Sequence, residues 1–353
     1  MISVFTPSHN PKHLNVAYQS LLDQTFKDWE WIVILNGDAD WSCEDTRVKV
    51  RYDDSGNTNV GYLKREACKL CTGDYLLELD HDDELLPTAL EEVHLAFLEG
   101  PDFVYSNTIN HDVRYNKPII WSKDYGWSAR PLKYKGMDCL EAVSAGPDPQ
   151  SISRIFFAPN HLRAWNRDFY WKIGGHNPRM DISDDHDLIC RSYIAGTLHH
   201  IDKPLYFYRV DGNNTWLKNQ ENISETMWKN HAKYIEPMMM KWAYKNNLRK
   251  IDVCGGIDKP DGYESVDLHD ADITADLNER WPFEDSSVGV LRCFDAIEHL
   301  RNPIHTMSEA YRVLAHGGAM LIRVPSSDGL GADCDPTHCS RWNKRSFRYY
   351  TEI

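Results

Sequence analysis

Short apolar runs alternate with amphipathic stretches along residues 1–82 of the chain. Each apolar run has the length of a strand and is bounded by turn-forming or polar residues, which is typical of buried strands, whereas two of the stretches between them have helical periodicity. This alternation predicts a largely parallel sheet with helices packed on it. The predicted strands are residues 2–6, 31–35, 48–52 and 75–79, and the predicted helices are residues 14–24 and 62–71.

Polar and acidic residues follow three of the predicted strands directly. Because ligands of parallel sheets bind at the carboxyl ends of the strands, we expect these residues to share one binding site. Asp80 and Asp82 offer the oxygen ligands that Mg²⁺ and Mn²⁺ prefer, and such an ion commonly joins carboxylates to a substrate diphosphate. The alternative for a short acidic motif taken alone is that it forms a solvated loop, or that its acids lie at the N-terminus of a helix. The three segments are Thr6-Pro7-Ser8, Asn36-Gly37-Asp38 and Asp80-His81-Asp82.

A second series of apolar runs begins at Ile251, after a stretch rich in lysine, asparagine, methionine and tryptophan. We interpret that stretch as helices that close a first domain and connect it to a second. The chain is thus predicted to contain a first domain at 1–215, a helical connector at 216–249 and a second domain at 250–353. The predicted strands of the second domain are residues 250–253, 263–267, 288–294 and 319–324.

The composition is that of a globular protein, with 42% hydrophobic and 26% charged residues in a chain of 353. Lysine and arginine number 39 against 53 acidic residues, and the net charge of −14 argues against a general binder of nucleic acid or anionic membranes. No apolar run approaches the ~18 residues of a membrane span, and no signal peptide precedes the first strand. The nine cysteines are scattered and fit reduced thiols, so we expect a cytoplasmic location.

Five segments of the first domain resemble, in order, those of family 2 glycosyltransferases. The third leads into the Asp80-His81-Asp82 turn, and the fourth joins Gly174-Gly175 to Asp184-Asp185. The resemblance implies a GT-A fold and an inverting, metal-dependent transfer of a hexosyl or deoxyhexosyl group from a nucleoside diphosphate sugar, of UDP type, with Mn²⁺ or Mg²⁺ as cofactor. It also implies a glycan or lipid-linked hydroxyl as acceptor. The segments are residues 2–10, 30–38, 59–82, 174–191 and 205–209.

By this resemblance, Asp82 and Asp80 would hold the metal on the donor diphosphate. Asp185 would be the general base, and Asp184 would orient either it or the acceptor; a surface acid pair at a helix start is the alternative. The family usually has paired acids where this chain has Asn36, which leaves the identity of the nucleotide open. The donor-binding residues implied are Thr6, Pro7, Ser8, Asn36, Lys64, Asp80, His81 and Asp82. The acceptor residues implied are His161, Gly175, His176 and Arg209, although the histidines could equally be structural.

The second domain resembles class I S-adenosylmethionine-dependent methyltransferases. A strand leads into the glycine turn Gly255-Gly256, and an acid, Asp267, stands at the end of the next strand. The resemblance implies a Rossmann-like fold with S-adenosylmethionine as cofactor, and His299 or His338 as a base toward a hydroxyl. For the segment Glu298-His299, the start of a helix after the fourth strand is the alternative. The chain has a shortened glycine turn in place of the usual Gly-x-Gly-x-Gly. The cofactor-binding residues implied are Gly255, Gly256, Asp267, Asp276, Glu298 and His299.

The second domain stops soon after its fifth expected strand, whereas a complete fold of this class needs two more. We therefore predict that it is C-terminally incomplete, with a reduced or cofactor-dead domain as the alternative. The leading interpretation is a bifunctional enzyme of polysaccharide biosynthesis that transfers a sugar and O-methylates the glycan. The alternatives are a glycosyltransferase with a non-catalytic scaffold domain, and a dead carbohydrate-binding protein. Four tryptophans could stack on sugar rings, although most such residues pack in cores: Trp121, Trp127, Trp165 and Trp171.

Overall fold

The computed structural model describes residues 1–120, 127–156 and 158–351. The chain divides into two compact units, Met1–Ile235 and Glu236–Ile353. This division does not test the domain boundaries predicted at residues 215 and 249, which stay predictions. Among the described residues, no helix combines the length and the hydropathy that crossing a membrane requires.

The first unit alternates strands and helices in its amino-terminal half and adds a strand hairpin and further helices after it. Its strands are β1 (Ile2–Ser8), β2 (Trp29–Leu35), β3 (Val48–Tyr52), β4 (Tyr75–Glu78), β5 (Glu84–Leu85), β6 (Phe103–Asp112), β7 (Lys117–Pro118), β8 (Ser128–Tyr134), β9 (Met137–Val143), β10 (Arg163–Asn166) and β11 (Leu198–Val210). Its helices are α1 (Leu14–Leu22), α2 (Val60–Leu70), α3 (Ala89–Leu98), α4 (Pro149–Arg154), α5 (Arg167–Lys172), α6 (Asp184–Ala195), α7 (Thr215–Lys218) and the first part of α8 (Gln220–Lys245).

The sheet of the first unit has eleven strands among the described residues, with the main order β3-β2-β1-β4-β10-β6-β11-β5. The first four strands in this order are parallel to their neighbours, as the alternation predicts. The sheet as a whole is mixed, because β10 runs antiparallel to both β4 and β6, and β5 runs antiparallel to β11. The prediction of a largely parallel sheet therefore holds for β1 to β4 and for the parallel pair β6 and β11, but not for β5 and β10.

The central strands are apolar along nearly their whole length because both faces of the sheet are covered. β2 is buried at every residue, and α1 contributes Leu14, Ala17 and Leu21 to the same core. The observed elements differ from the predicted ones mainly at their ends. The helix predicted over 14–24 ends at Leu22, and the strand predicted from residue 31 begins at Trp29.

The strand order of the first unit reverses at β1. The chain continues from β1 to β2 and β3 on one side, and β4 then pairs with the other side of β1. Ligands of open α/β sheets bind in the crevice that such a reversal opens at the carboxyl ends of the strands. The acidic turn Asp80-His81-Asp82 directly follows β4 and therefore lies at this crevice.

The second unit contains a smaller sheet that is parallel throughout, with the order β14-β13-β12-β15-β16. Its core is formed by residues such as Ile251, Val266, Trp281 and Leu291. The strand order reverses at β12, so the ends of β12 and β15 border a second crevice. The elements are β12 (Arg249–Val253), β13 (Glu264–Asp267), β14 (Ile273–Thr274), β15 (Val288–Phe294), α9 (Pro303–Val313), β16 (Leu314–Arg323) and α10 (Gly331–Cys334).

The last strand of the second unit starts earlier than predicted. The glycine pair Gly317-Gly318 reads as a turn before a strand at 319–324, but β16 begins at Leu314. A register shift against β15 accounts for the difference, since Leu314 pairs with Val288 and Ala319 with Val290. The extra residues, which include the glycine pair, bulge between these two pairings.

Candidate functional site

A cavity of about 640 Å³ opens at the carboxyl ends of β1, β2 and β4 in the first unit. The turn after β4, the start of α6 and the segment before β10 supply much of its polar lining. The predicted site residues that line it are Pro7, Asn36, Lys64, Asp80, His81, Asp82, His161, Asp184 and Asp185. The others predicted for this unit are outside its lining: Thr6, Ser8, Gly175, His176 and Arg209.

The hydroxyl groups of Thr6 and Ser8 are engaged within the protein. Thr6 is fully buried, donates to the carbonyl of Leu79 at 2.6 Å and accepts from the indole N–H of Trp31 at 2.9 Å. Ser8 is 1% exposed and donates to the carbonyl of Asn10 at 3.0 Å. These hydroxyls join neighbouring strands and shape the turn after β1, so the structure does not bring them to the cavity.

Gly175 and His176 form a support beneath the start of α6. Gly175 has a φ of +61°, and a Cβ at this position would lie 2.6 Å from the ring of Tyr170. His176 is fully buried, with Nδ1 2.8 Å from the Tyr170 hydroxyl and Nε2 3.6 Å from Asp184. The loop thus lies against Asp184 without a hydrogen bond to it, and it is not part of the cavity lining.

Arg209 organises the acidic turn from the strand beside it. Its backbone N–H donates to Asp83 at 2.7 Å, and its guanidinium donates to the carbonyl of Asp82 at 2.9 Å and to Glu84 at 3.2 Å. The side chain is therefore committed to the turn. The acceptor role predicted for Arg209 has no geometric support in the lining of the cavity.

Two buried ion pairs link the acids of α6 to β4. The ammonium of Lys64 lies 2.6 Å from Glu78 and 3.3 Å from Asp184. The guanidinium of Arg163 lies 2.5 Å from Asp185 and 3.9 Å from Glu78. Glu78 is fully buried and touches both cations, so it joins the two pairs into one network.

Glu78 and Arg163 were not singled out by the sequence analysis. Glu78 carries a weak signal, because it is an acid within an otherwise apolar strand, two residues before Asp80. Arg163 carries none that is local, since its role depends on β10 pairing next to β4, a long-range arrangement.

The ion network sets different proton affinities for its three acids. Burial disfavours ionisation of Glu78, but the charges of Lys64 and Arg163 outweigh it and lower the Glu78 pKa to about 2. For Asp185, the same two cations also outweigh burial and lower the pKa below its ordinary range. For Asp184, burial prevails over Lys64, and with repulsion from Asp185 it raises the pKa to about 6. Asp185, whose side chain is 24% exposed, is therefore a carboxylate at neutral pH.

Asp80 and His161, together with Glu78 of the ion network, offer ligand atoms for a divalent cation. Ligand atoms of Glu78, Asp80 and His161 lie within 4.8 Å of one another. Burial lowers the pKa of His161 to about 3, reinforced by the positive charge of Arg163, so the ring is neutral and able to ligate. Burial also raises the pKa of Asp80 to about 7, together with repulsion from Glu78 and Asp82, and a cation relieves such repulsion. Asp82 lines the same cavity but does not belong to this close trio.

Basic and aromatic side chains that the sequence analysis passed over also line the cavity. Lys12 and His13 follow β1 in a single turn of 3-10 helix, and Lys218 ends α7. The two lysines suit the charge of a diphosphate. Trp216, in α7, lines the cavity. The predicted stacking residues Trp127 and Trp165 do not, and their exposed fractions are 3% and 0%. Trp171 faces the guanidinium of Arg65, and Trp121 lies outside the described residues.

In the second unit, the structure brings part of the predicted cofactor site together. Gly255 and Gly256 follow β12, and a Cβ on Gly256 would lie 4.0 Å from a carboxylate oxygen of Asp267. Gly255 has no room for a Cβ, because its position would lie 2.2 Å from Asp252. Asp276 closes its own turn by accepting two hydrogen bonds from Asn278 at 2.9 Å.

The remaining two cofactor residues predicted for the second unit follow β15. Glu298 and His299 lie in the short 3-10 helix Ile297–His299, and Glu298 is 2% exposed. They therefore border the crevice formed where the strand order reverses. Their alternative interpretation, the start of a helix after the strand, describes the local backbone correctly.

Two family models match the chain. Residues 3–143 match "Glycosyl transferase family 2", and residues 237–322 match "Methyltransferase domain". The chain carries a family 2 glycosyltransferase domain followed by a methyltransferase domain. Both resemblances drawn from the sequence motifs are thereby confirmed, and the two strand orders agree with an α/β fold in each unit.

The glycosyltransferase domain has relatives among bacterial polysaccharide enzymes. A chondroitin synthase of Escherichia coli is 25% identical over 69% of this chain, and a hyaluronan synthase of Pasteurella multocida is 24% identical over 62%. The chain spans only 33% and 21% of these two relatives. A structure of S. aureus TarS 1-349 in complex with UDP-GlcNAc is similar with a TM-score of 0.47 at 15% identity, covering 65% of each chain, and at that score it adds nothing to the assignment.

Proposed function

We propose that the first unit is an inverting glycosyltransferase that moves a hexosyl or deoxyhexosyl group from a UDP-type sugar to a hydroxyl of a glycan or lipid-linked acceptor. The observation that carries the proposal is one cavity, at the strand reversal of a family 2 domain, lined by both the Asp80-His81-Asp82 turn and the Asp184-Asp185 pair. The cytoplasmic location predicted from the sequence belongs to the same proposal, and the nine free thiols agree with it.

Asp185 acts as the general base in this proposal. It accepts the proton of the acceptor hydroxyl while that oxygen forms the bond to the anomeric carbon and the bond to the diphosphate breaks. Arg163 holds the carboxylate ionised and oriented toward the cavity. Asp184 pairs with Lys64, packs against His176 and positions the start of α6.

Asp80 and Asp82 would hold Mn²⁺ or Mg²⁺, and His161, whose ligand atom lies near that of Asp80, would be a further ligand. A bound ion would neutralise charge that develops on the diphosphate leaving group. Lys12 and Lys218 add positive charge at the same cavity. Asn36 contacts the nucleoside, where its amide can both donate to and accept from a uracil edge.

We expect a UDP-sugar with Mn²⁺ to stabilise the first unit. At a ligand concentration 100-fold above its Kd, the free energy of unfolding rises by about 2.7 kcal/mol. Asp82→Asn is expected to lose the increment that depends on Mn²⁺. The measurement is a thermal-shift screen of nucleoside diphosphate sugars with and without Mn²⁺, with the exposed Asp138→Asn as the matched control.

An assay of nucleoside diphosphate release separates the enzyme from a carbohydrate-binding protein. A transferase that binds its donor also hydrolyses it slowly and thereby releases the nucleoside diphosphate. A catalytically dead binding protein is stabilised by the donor in the thermal-shift screen but releases no nucleoside diphosphate. Absence of any release across the donor panel, with Mn²⁺ present, would contradict the enzyme proposal.

We also propose that the second unit binds S-adenosylmethionine and O-methylates the glycan product. Gly256, after β12, lies beside Asp267, the last residue of β13, and this supports the proposal because an acid there can accept both ribose hydroxyls of a nucleoside cofactor. The alternative, a scaffold domain, needs no such pair.

S-adenosylmethionine is expected to raise the unfolding temperature of the wild-type chain and not that of Asp267→Ala. Loss of two hydrogen bonds from the ribose hydroxyls is the physical reason. Differential scanning fluorimetry with the cofactor measures the effect, and Asp261→Ala, an exposed loop acid before β13, is the control. If Asp267→Ala keeps the full shift, Asp267 does not hold the ribose; if the wild type shows none, the scaffold interpretation is favoured.

A further inference from the structure

Three potential metal ligands converge after β15 in the second unit. Ligand atoms of Glu298, His299 and His338 lie within 4.8 Å of one another. The loop that carries His338 is fixed over the short helix, because the backbone N–H groups of Cys339 and Ser340 donate to the carbonyl of Glu298 at 2.7 and 3.0 Å. Backbone contacts therefore build the cluster from two segments that are about 38 residues apart in the sequence, the short helix and the loop that carries His338.

The carboxylate of Glu298 lacks a protein partner. The residue is 2% exposed, and neither carboxylate oxygen has a hydrogen-bond partner among the described residues. Burying an ionised carboxylate without compensation is costly, and buried charges are normally paired or coordinate a metal. Arginine and lysine side chains do not supply the missing charge, since no ion pair to Glu298 is formed within the described parts of the chain.

In both imidazoles Nδ1 is engaged with an oxygen of the protein, which leaves the lone pair on Nε2. His338 Nδ1 lies 2.9 Å from the carbonyl of Ala332, which can only accept, so Nδ1 carries the hydrogen. The hydroxyl of Thr337 donates to Asp335 at 2.6 Å and therefore accepts from His299 Nδ1 at 3.1 Å. The unprotonated nitrogen of each ring is then Nε2. Metal-bound histidines almost always have their second ring nitrogen held in this way by a carbonyl, a carboxylate-linked group or water.

We propose that Glu298, His299 and His338 bind a divalent transition-metal ion of the Zn²⁺ type. Two imidazoles and one carboxylate are the ligand set of many zinc sites, and imidazole favours zinc-like ions over Mg²⁺. Three protein ligands leave a coordination position open, as in catalytic rather than structural zinc sites. The proposal assigns Glu298 and His299, which the resemblance placed in the cofactor site, to a metal ion instead. Its test measures metal binding alone, so failure of sugar transfer or of S-adenosylmethionine binding does not affect the outcome.

The test is a Co²⁺ titration of the full-length chain after treatment with a chelator, followed by visible absorption and by the metal content after gel filtration. Co²⁺ replaces Zn²⁺ and reports its ligands spectroscopically. The wild type is expected to bind one equivalent of Co²⁺ at the cluster of Glu298, His299 and His338. Asp82→Asn is expected to keep this binding. Glu298→Gln and His338→Ala are expected to weaken it at least 100-fold, whereas the exposed His316→Ala leaves it unchanged.

A variant outside the ligand set separates metal binding from packing. Thr337→Val removes the group that orients His299 and is expected to weaken Co²⁺ binding by about 10–100-fold. Thermal unfolding without metal verifies that each variant folds, and Glu298→Gln keeps the shape of the side chain. The proposal is overturned if Glu298→Gln and His338→Ala bind Co²⁺ as the wild type does. It is also overturned if the wild type binds no Co²⁺, or if Asp82→Asn abolishes all the Co²⁺ binding that the wild type shows.

Discussion

Replacing Asp185 by asparagine is expected to slow sugar transfer by about 10²–10⁴-fold, the usual contribution of a positioned general base. Asparagine has the size of aspartate but cannot take a proton from the attacking hydroxyl. Donor binding is expected to persist, because Pro7, Asn36 and the acidic turn are untouched. The measurement pairs the rate of nucleoside diphosphate release with the affinity for the nucleotide, so that kcat falls while donor affinity changes little.

The exposed Asp138→Asn, in the β8–β9 hairpin, is the matched control for this substitution and is expected to leave the rate unchanged. Because Asp185 pairs with Arg163, the folded state of Asp185→Asn is verified by its thermal unfolding. A rate within threefold of the wild type would remove Asp185 from the role of base. A parallel loss of donor affinity would instead place it among the donor-binding residues.

The acidic turn could be predicted from the sequence because the signals are local. An apolar run that ends in Asp80-His81-Asp82 indicates a strand and its carboxyl end, and β4 with its turn follows that prediction. The hydroxyls of Thr6 and Ser8 carry the same kind of signal and are nevertheless engaged inside the protein. A pattern shows that a polar residue lies at a strand end, but its hydrogen-bond partner depends on which strands become neighbours.

The ion network shows what local patterns leave out. Arg163 reaches Asp185 only because β10 inserts antiparallel between β4 and β6, and nothing in its four residues encodes that position. His176 has the same limitation, since burial against Tyr170 turns a predicted acceptor residue into a support for Asp184. In the second unit, His338 meets Glu298 through a loop far along the chain. These roles follow from long-range packing.

Lys64→Met is expected to destabilise the first unit by about 3–5 kcal/mol, the usual cost of removing one partner from a buried ion pair. Methionine fills the volume of the lysine stem but leaves Glu78 and Asp184 without their nearest cation in a buried site. Lys69→Met, on the same helix α2, is the matched control. Its ammonium pairs with Glu66 at the surface, with side chains 51% and 28% exposed, so a change within about 0.5 kcal/mol is expected. Hydrogen exchange of the β1 and β4 amides measures the first unit separately from the second.

The loss in Lys64→Met is expected to depend on pH in a defined direction. In the wild type, the cations hold the Glu78 pKa at about 2, below its ordinary 4.5, so this acid stabilises the fold above pH 4.5 and the gain disappears as pH falls toward 2. Without Lys64, the pKa values of Glu78 and Asp184 rise, and their ionisation now opposes folding. The difference between variant and wild type should therefore be largest at pH 7–8 and shrink as the pH falls toward 4, where protonation removes the unpaired charges. A difference that is constant over this range would mean that Lys64 contributes through packing of its methylene stem, and the electrostatic account of the network would be wrong.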